Sequence, residues 1–282
     1  MLKEIIHGKI KQMVGNPLQA MHIGGGCIHN GLRVKTTNGD VFVKFNSSDQ
    51  FNNFQAEVKG LNLLKETGGI HTPNIIDLGK GEGLAWIIME FVESGPSSSA
   101  FFMAFADALA HLHQKTDSNF GLSHDNFIGR LPQQNEKHES WFDFFRNYRI
   151  LPQLRLARSY FTEKEIKQLE HLLKQLESLI PDERPALLHG DLWSGNYIPG
   201  VNGSPVLIDP AVYYGHRETE IAFTQLFGGF SRPFYERYQE VYPLEPGFDS
   251  RADIHNLYPL LVHVNLFGES YMNGIRNTLS SF

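Results

Sequence analysis

The spacing of apolar positions changes character along this chain. Between residues 31 and 45, GLRVKTTNGDVFVKF contains two alternating runs around Asn38-Gly39, which predicts a β-hairpin. Residues 51–69 then carry Phe54, Val58, Leu61 and Leu64 at helical spacing, stopped by a glycine pair. Residues 75–92 predict a second hairpin whose last strand, LAWIIMEFV, is apolar on both faces. The Ser/Gly/Pro stretch at 94–100 reads as a hinge. Beyond it the pattern is mostly helical, with helices over 98–114 and 162–180 and a pair over 140–160 divided near Pro152. Thr162 and Glu165 have capping-box spacing. PVLIDP, at 205–210, is a short buried strand, and the tail from 219 onward is helical and aromatic. The pattern gives an α+β chain in two lobes, residues 1–92 and 93–282, with the hinge at about 89–96.

Composition narrows the class. A chain of 282 residues with 41% hydrophobic and 20% charged residues can bury a core. A net charge of −6 argues against general nucleic-acid binding. No apolar run approaches the roughly 20 residues of a membrane span, and the N-terminal MLKEIIHGKIKQ reads as an amphipathic helix rather than a signal peptide. The single cysteine, Cys27, excludes an internal disulfide and fits a reducing, cytoplasmic compartment. The 13 histidines show no zinc-site spacing.

Against that organisation, five polar residues fall in an order that phosphoryl transfer needs. Taken alone, each has an ordinary reading as a solvated charge, a surface helix residue or a turn former. Together, Lys44 ends VFVK on a strand and Glu57 lies on the next helix. Asp191 in HGD precedes Asn196 by five residues, the D-x-x-x-x-N spacing of a kinase catalytic loop. Asp209 follows an apolar strand. These are the parts for holding ATP phosphates, fixing the lysine, orienting a hydroxyl and binding Mg²⁺ through oxygen donors. Glu90, Phe91 and Val92 stand where hinge backbone would meet adenine, and Gly24, Gly25 and Gly26 are a candidate phosphate cover.

At these residues the chain resembles the protein-kinase-like superfamily. Gly190 replaces the arginine of H-R-D, Pro210 replaces the phenylalanine of D-F-G, and no A-P-E signature occurs, which places it nearer the aminoglycoside and choline kinase branch. GGGCIHNG, EVKGL, DNFIGRLPQ, HGDLWSGN, DPAVYYGHRE and LFGGF are similar to the fructosamine kinase (ketosamine-3-kinase) family over nearly the whole chain. The resemblance implies a bilobal protein-kinase-like fold with an antiparallel sheet and one helix in the small lobe. It also implies ATP-dependent phosphorylation of a ketosamine 3-hydroxyl, whose unstable product releases the free amine. Asp191 would then be the catalytic carboxylate, Lys44 would neutralise phosphate charge, and Asn196 and Asp209 would hold the metal. Trp193, His216 and Glu218 flank the motifs as candidate substrate contacts. His189 would brace the loop by hydrogen bonding. Cys27 would be a redox handle linking a homodimer on oxidation, the chain otherwise being a monomer or homodimer. An aminoglycoside- or choline-type metabolite kinase and a non-catalytic pseudokinase scaffold are the competing readings.

Overall fold

The computed structural model describes residues 3–23, 30–67 and 69–282. Its elements begin with α1 (Glu4–Met13), β1 (Pro17–His22), β2 (Asn30–Thr36), β3 (Gly39–Ser47), α2 (Phe51–Glu66), β4 (Ile75–Gly81), β5 (Leu84–Glu90) and α3 (Ser99–His113). Next come β6 (Asn126–Ile128), β7 (Leu131–Gln133), α4 (Trp141–Phe144), a π-helical segment (Phe145–Ile150), α5 (Leu151–Leu156), α6 (Glu163–Lys174) and α7 (Leu176–Leu179). The remainder is β8 (Ala186–Leu188), β9 (Tyr197–Pro199), β10 (Pro205–Leu207), β11 (Tyr213–Gly215), α8 (Arg217–Leu226), α9 (Arg232–Val241), α10 (Phe248–Phe267) and α11 (Met272–Ser281). The architecture is α+β, and no described helix is long and apolar enough to cross a membrane.

The chain divides into two compact units, residues 1–105 with 195–210 and residues 106–194 with 211–282. The first is built on an antiparallel sheet of order β1-β2-β3-β5-β4. The period of two sorts its faces. Val41 and Val43 of β3 join Ile6 and Ile10 of α1 in one apolar layer. Phe42 faces the opposite layer, where Phe54 of α2 packs on Ala85, Ile87 and Met89 of β5. Strand β5 is therefore buried on both faces, as its unbroken apolar run predicts. The first hairpin turns at Thr37-Asn38, one residue earlier than expected, because Thr36 pairs with Gly39 and its hydroxyl caps both Asn38 N–H and Gly39 C=O. Residues 195–210 join this unit through the β9–β10 hairpin. Tyr197 packs on Phe101 and Phe105 with ring centroids 5.7 and 5.1 Å away, and Leu207 N–H donates to His71 C=O.

The second unit is mostly helical around a core that includes Trp141, Phe144, Phe145, Leu169, Leu188, Tyr213 and Leu261. The capping box of Thr162 and Glu165 forms as predicted. The expected break near Pro152 does not form. The chain stays helical from Trp141 to Leu156, and a π-helical turn immediately precedes Pro152. A wider turn accommodates a residue that has no N–H to donate.

Candidate active site

The face sorting that builds the sheet also builds the ion cluster. Lys44 lies two residues past Phe42 and so points to the α2 side. Glu57 lies three residues past Phe54, on the buried stripe of α2 with Leu61 and Leu64. The two meet, with Lys44 Nζ donating to Glu57 Oε2 at 2.8 Å. It also donates to Asp209 Oδ1 at 2.7 Å. Burial works against the ammonium, but the carboxylates of Asp209 and Glu57 outweigh it and hold Lys44 above its ordinary range. One cation serves two carboxylates, so burial pushes Glu57 up to about 7 despite Lys44, and the charge of Asp209 adds to the shift. Among the described residues, Glu57 Oε1 has no hydrogen-bond partner.

Register supplies the next pairing. β9 and β10 are antiparallel with Leu207 opposite Tyr197, which places Ile208 beside Asn196, and Ile208 N–H donates to Asn196 C=O at 3.1 Å. Asn196 and Asp209 thus leave the same end of one hairpin. Asp209 sits at φ +54°, a left-handed conformation that costs most residues about 1–2 kcal/mol and that Asp tolerates. A carboxamide and a partly exposed carboxylate are hard oxygen donors suited to Mg²⁺. Glu90, Phe91 and Val92 line a groove with Asn74 and Val206. The Glu90 carboxylate accepts from Asn74 Nδ2 at 2.6 Å, and Arg33 covers the Phe91 ring at 4.1 Å. Gly24, Gly25, Gly26 and Cys27 lie outside the described residues.

The HGD loop belongs to the second unit, and its geometry is set through the backbone. His189 and Gly190 N–H groups donate to the two oxygens of Glu220, at 3.1 and 2.7 Å. Ala211 N–H donates to His189 C=O at 2.9 Å. Asp191 N–H donates to His189 Nδ1 at 3.3 Å, so the His189 ring braces the loop. Gly190 is at φ +83°, and a Cβ there would lie 2.1 Å from the Ala211 carbonyl oxygen. Only glycine fits. Glu220 is buried, yet its carboxyl is held below the ordinary range, because His113 and the loop groups outweigh the burial. His113 Nε2 lies 3.0 Å from Glu220 Oε2, and its Nδ1 lies 2.7 Å from the Tyr238 hydroxyl.

The expected substrate contacts fare differently. Trp193 is half-buried on the loop. His216 and Glu218 are fully buried with every side-chain polar atom engaged, which corrects their reading as groups facing a ligand. His216 caps α8, accepting from Glu218 N–H at Nδ1 and donating from Nε2 to Pro181 C=O at 3.0 Å. Both Glu218 oxygens are taken by Arg251, and His255 adds a contact at 3.2 Å. Donor atoms of His216, Glu218 and His255 lie within 4.8 Å of one another. The Arg251 cation and the His216 bonds already saturate them, so the arrangement is a buried ion network and not a metal centre. Sequence reasoning missed Glu220, His113 and Arg251. Polar side chains at helix positions that the apolar pattern buries were the available signal, since buried polar groups require partners.

These elements first define a class. They form the protein-kinase-like fold, and a thermostable mutant of an aminoglycoside phosphotransferase matches over 98% of both chains with a TM-score of 0.67 at 12% identity, a likeness of fold alone. The particular family is set by closer matches. The family model for fructosamine kinase covers residues 2–282. A "Probable ketoamine kinase" of Synechocystis sp. is 37% identical over 285 residues, 98% of this chain and 95% of the relative. The chloroplastic protein-ribulosamine 3-kinase of Oryza sativa subsp. indica is 36% identical over 286 residues, 99% of this chain and 81% of the relative. A solved structure from Thermobifida fusca, provisionally named a fructosamine-3-kinase, is 32% identical with a TM-score of 0.86, covering 98% of this chain and 97% of that one. The chain belongs to the fructosamine kinase family.

Proposed function

We propose that this chain phosphorylates the 3-hydroxyl of a ketosamine sugar with ATP as donor. One observation carries the reading: Lys44 Nζ is locked between Glu57 and Asp209 at 2.8 and 2.7 Å, the arrangement phosphate binding requires, in a chain of this family. Lys44 neutralises phosphate charge, and Glu57 fixes its position. Asp191 takes up the proton of the 3-hydroxyl as that oxygen bonds to the γ-phosphorus. The bond to the bridging oxygen breaks, and ADP leaves with the electron pair. A loose transition state asks little base strength of Asp191, so its main contribution is position. Asn196 and Asp209 would hold Mg²⁺, which supplies charge neutralisation at the phosphate oxygens.

Backbone groups of Glu90–Val92 serve the adenine, Gly24–Gly26 cover the phosphates, and Trp193 offers an aromatic face to the protonated amine of the substrate. Functionally, residues 1–92 are the nucleotide lobe and 93–282 the catalytic and substrate lobe. Breakdown of the 3-phosphate frees the amine, so the role is deglycation, placed in the cytoplasm. The test compares turnover of fructosamine, ribulosamine and erythrulosamine adducts with Mg²⁺-ATP, beside aminoglycosides and choline. Turnover on at least one ketosamine and none on the others is the expected result. Turnover on no ketosamine refutes the assignment.

A further inference from the structure

The motif DNFIGRLPQ has no part in the chemistry assigned above, yet Asn126, Ile128 and Gln133 within it are buried. It folds as the β6–β7 hairpin, with Asn126 paired to Gln133. Gln133 is 2% exposed and all of its side-chain functionality is engaged. Its Nε2 donates to Asn126 Oδ1 at 2.8 Å and to Ala211 C=O at 3.0 Å, and its Oε1 accepts from the Tyr258 hydroxyl at 2.5 Å. Asn126 Nδ2 donates in turn to Val212 C=O at 2.8 Å. On one side the Gln133 amide donates to two carbonyl-type oxygens, of which Asn126 Oδ1 also accepts from Asn135 Nδ2 at 2.8 Å, and on the other its oxygen accepts from a hydroxyl. Only a carboxamide of this length satisfies all three.

The contact with Ala211 reaches the catalytic loop. The oxygen Gln133 holds is the one a Cβ at Gly190 would strike, and the same peptide segment donates from Ala211 N–H to His189 C=O. His189 is bound on its other side by Glu220 and carries the Asp191 N–H on its ring. The geometry points to Gln133, seated by Tyr258 and Asn126, as a positioning residue for Asp191. It touches neither substrate nor phosphate, and it acts by fixing the Ala211 peptide against which the His189–Gly190 turn is packed. This rests on the reading of Asp191 as the catalytic carboxylate.

The variants are Gln133→Met, which keeps length and loses all three hydrogen bonds, and the milder Tyr258→Phe. Each is measured alone and in an Asp191→Asn background, with thermal melting to establish folding at assay temperature. A displacement near 1 Å at a reacting group costs about 100-fold, so Gln133→Met is expected to lower kcat by about 10- to 100-fold with both KM values within about twofold. Tyr258→Phe is expected to lower it severalfold. In the Asp191→Asn background both losses should vanish, because the group being positioned is gone. Hydrogen exchange of the peptide spanning 187–197, read without substrate, should quicken in both variants. Equal fold losses with and without Asp191, a loss confined to KM, or unchanged exchange overturns the proposal. If Gln133→Met does not fold, Tyr258→Phe decides by the same criteria. If the unsubstituted protein turns over no ketosamine, the proposed reaction fails on its own and the exchange measurement alone decides for or against Gln133.

Discussion

Gly190→Ala is the smallest change that tests how the HGD loop is built. Alanine at φ +83° costs about 1–2 kcal/mol in backbone strain alone. Its Cβ would also sit 2.1 Å from the Ala211 oxygen, where ordinary contact begins at 3.4 Å. The loop and the Ala211 peptide must separate by more than 1 Å, which breaks the 2.9 Å bond between Ala211 N–H and His189 C=O, worth about 1 kcal/mol. The same shift strains the Gly190 N–H bond to the Glu220 carboxylate, a charge-assisted contact worth about 1.5–3 kcal/mol. The sum is about 3.5–6 kcal/mol, a large part of the roughly 5–15 kcal/mol that holds a folded domain. Urea unfolding with an unchanged slope should report that loss. At temperatures where the variant is folded, kcat should fall by about 100-fold, since Asp191 follows the displaced residue directly. A variant within about 1 kcal/mol of the parent, turning over at a comparable rate, would refute the account of the loop.

Lys44→Met leaves the Glu57 and Asp209 carboxylates without their shared cation, and should destabilise by about 3–5 kcal/mol and abolish tight nucleotide binding. Adding Glu57→Gln should recover part of the stability and none of the binding, as measured by unfolding and by titration with a fluorescent nucleotide. Glu218→Gln should lower stability by about 3 kcal/mol, by weakening a buried ion pair with Arg251, while the ketosamine KM stays unchanged. A raised KM at intact stability would restore Glu218 to the substrate site. His216 is held neutral, because burial, with His255 beside it, lowers its folded-state pKa to about 4 against an unfolded value of about 6.5. Its contribution is therefore complete above pH 6.5 and is lost as pH falls toward 4, about 3 kcal/mol in all. Glu57, raised to about 7, gives a slope of opposite sign, so the readout is the difference between the protein and His216→Asn across that window. A pH-independent difference would contradict the neutral, buried His216.

The parts of the site that were legible are those fixed by local periodicity. Lys44 sits two residues from Phe42 on a strand, and Glu57 three residues from Phe54 on a helix, so period and spacing alone bring them to one layer. Asn196 and Asp209 were legible because one short hairpin separates them. Glu220 and Gln133 were not, because what they bind is backbone. A carboxylate on His189 and Gly190 amides, or a carboxamide on the Ala211 carbonyl, leaves no complementary side chain to find in the sequence. Glu218 was misread for a related reason. Its proximity to a functional motif suggested a ligand, whereas its partner, Arg251, lies 33 residues away on α10. The division near Pro152 failed because proline at the start of a helical turn needs no break when the preceding turn is π-helical.

Gly190 also bears on how such an enzyme is controlled. An arginine at this place in a kinase loop offers a charge that an activation-loop phosphate can engage, making loop geometry conditional. Here the space for any side chain is filled by the Ala211 oxygen, and the backbone conformation favours glycine. The loop amides are held instead by Glu220, 3% exposed, and Gln133, 2% exposed, holds the Ala211 carbonyl beside them. Those contacts are neutral carboxamide bonds on one side and a carboxylate kept ionised by His113 on the other. Charge-based switching through a side chain at residue 190 is therefore closed to this chain.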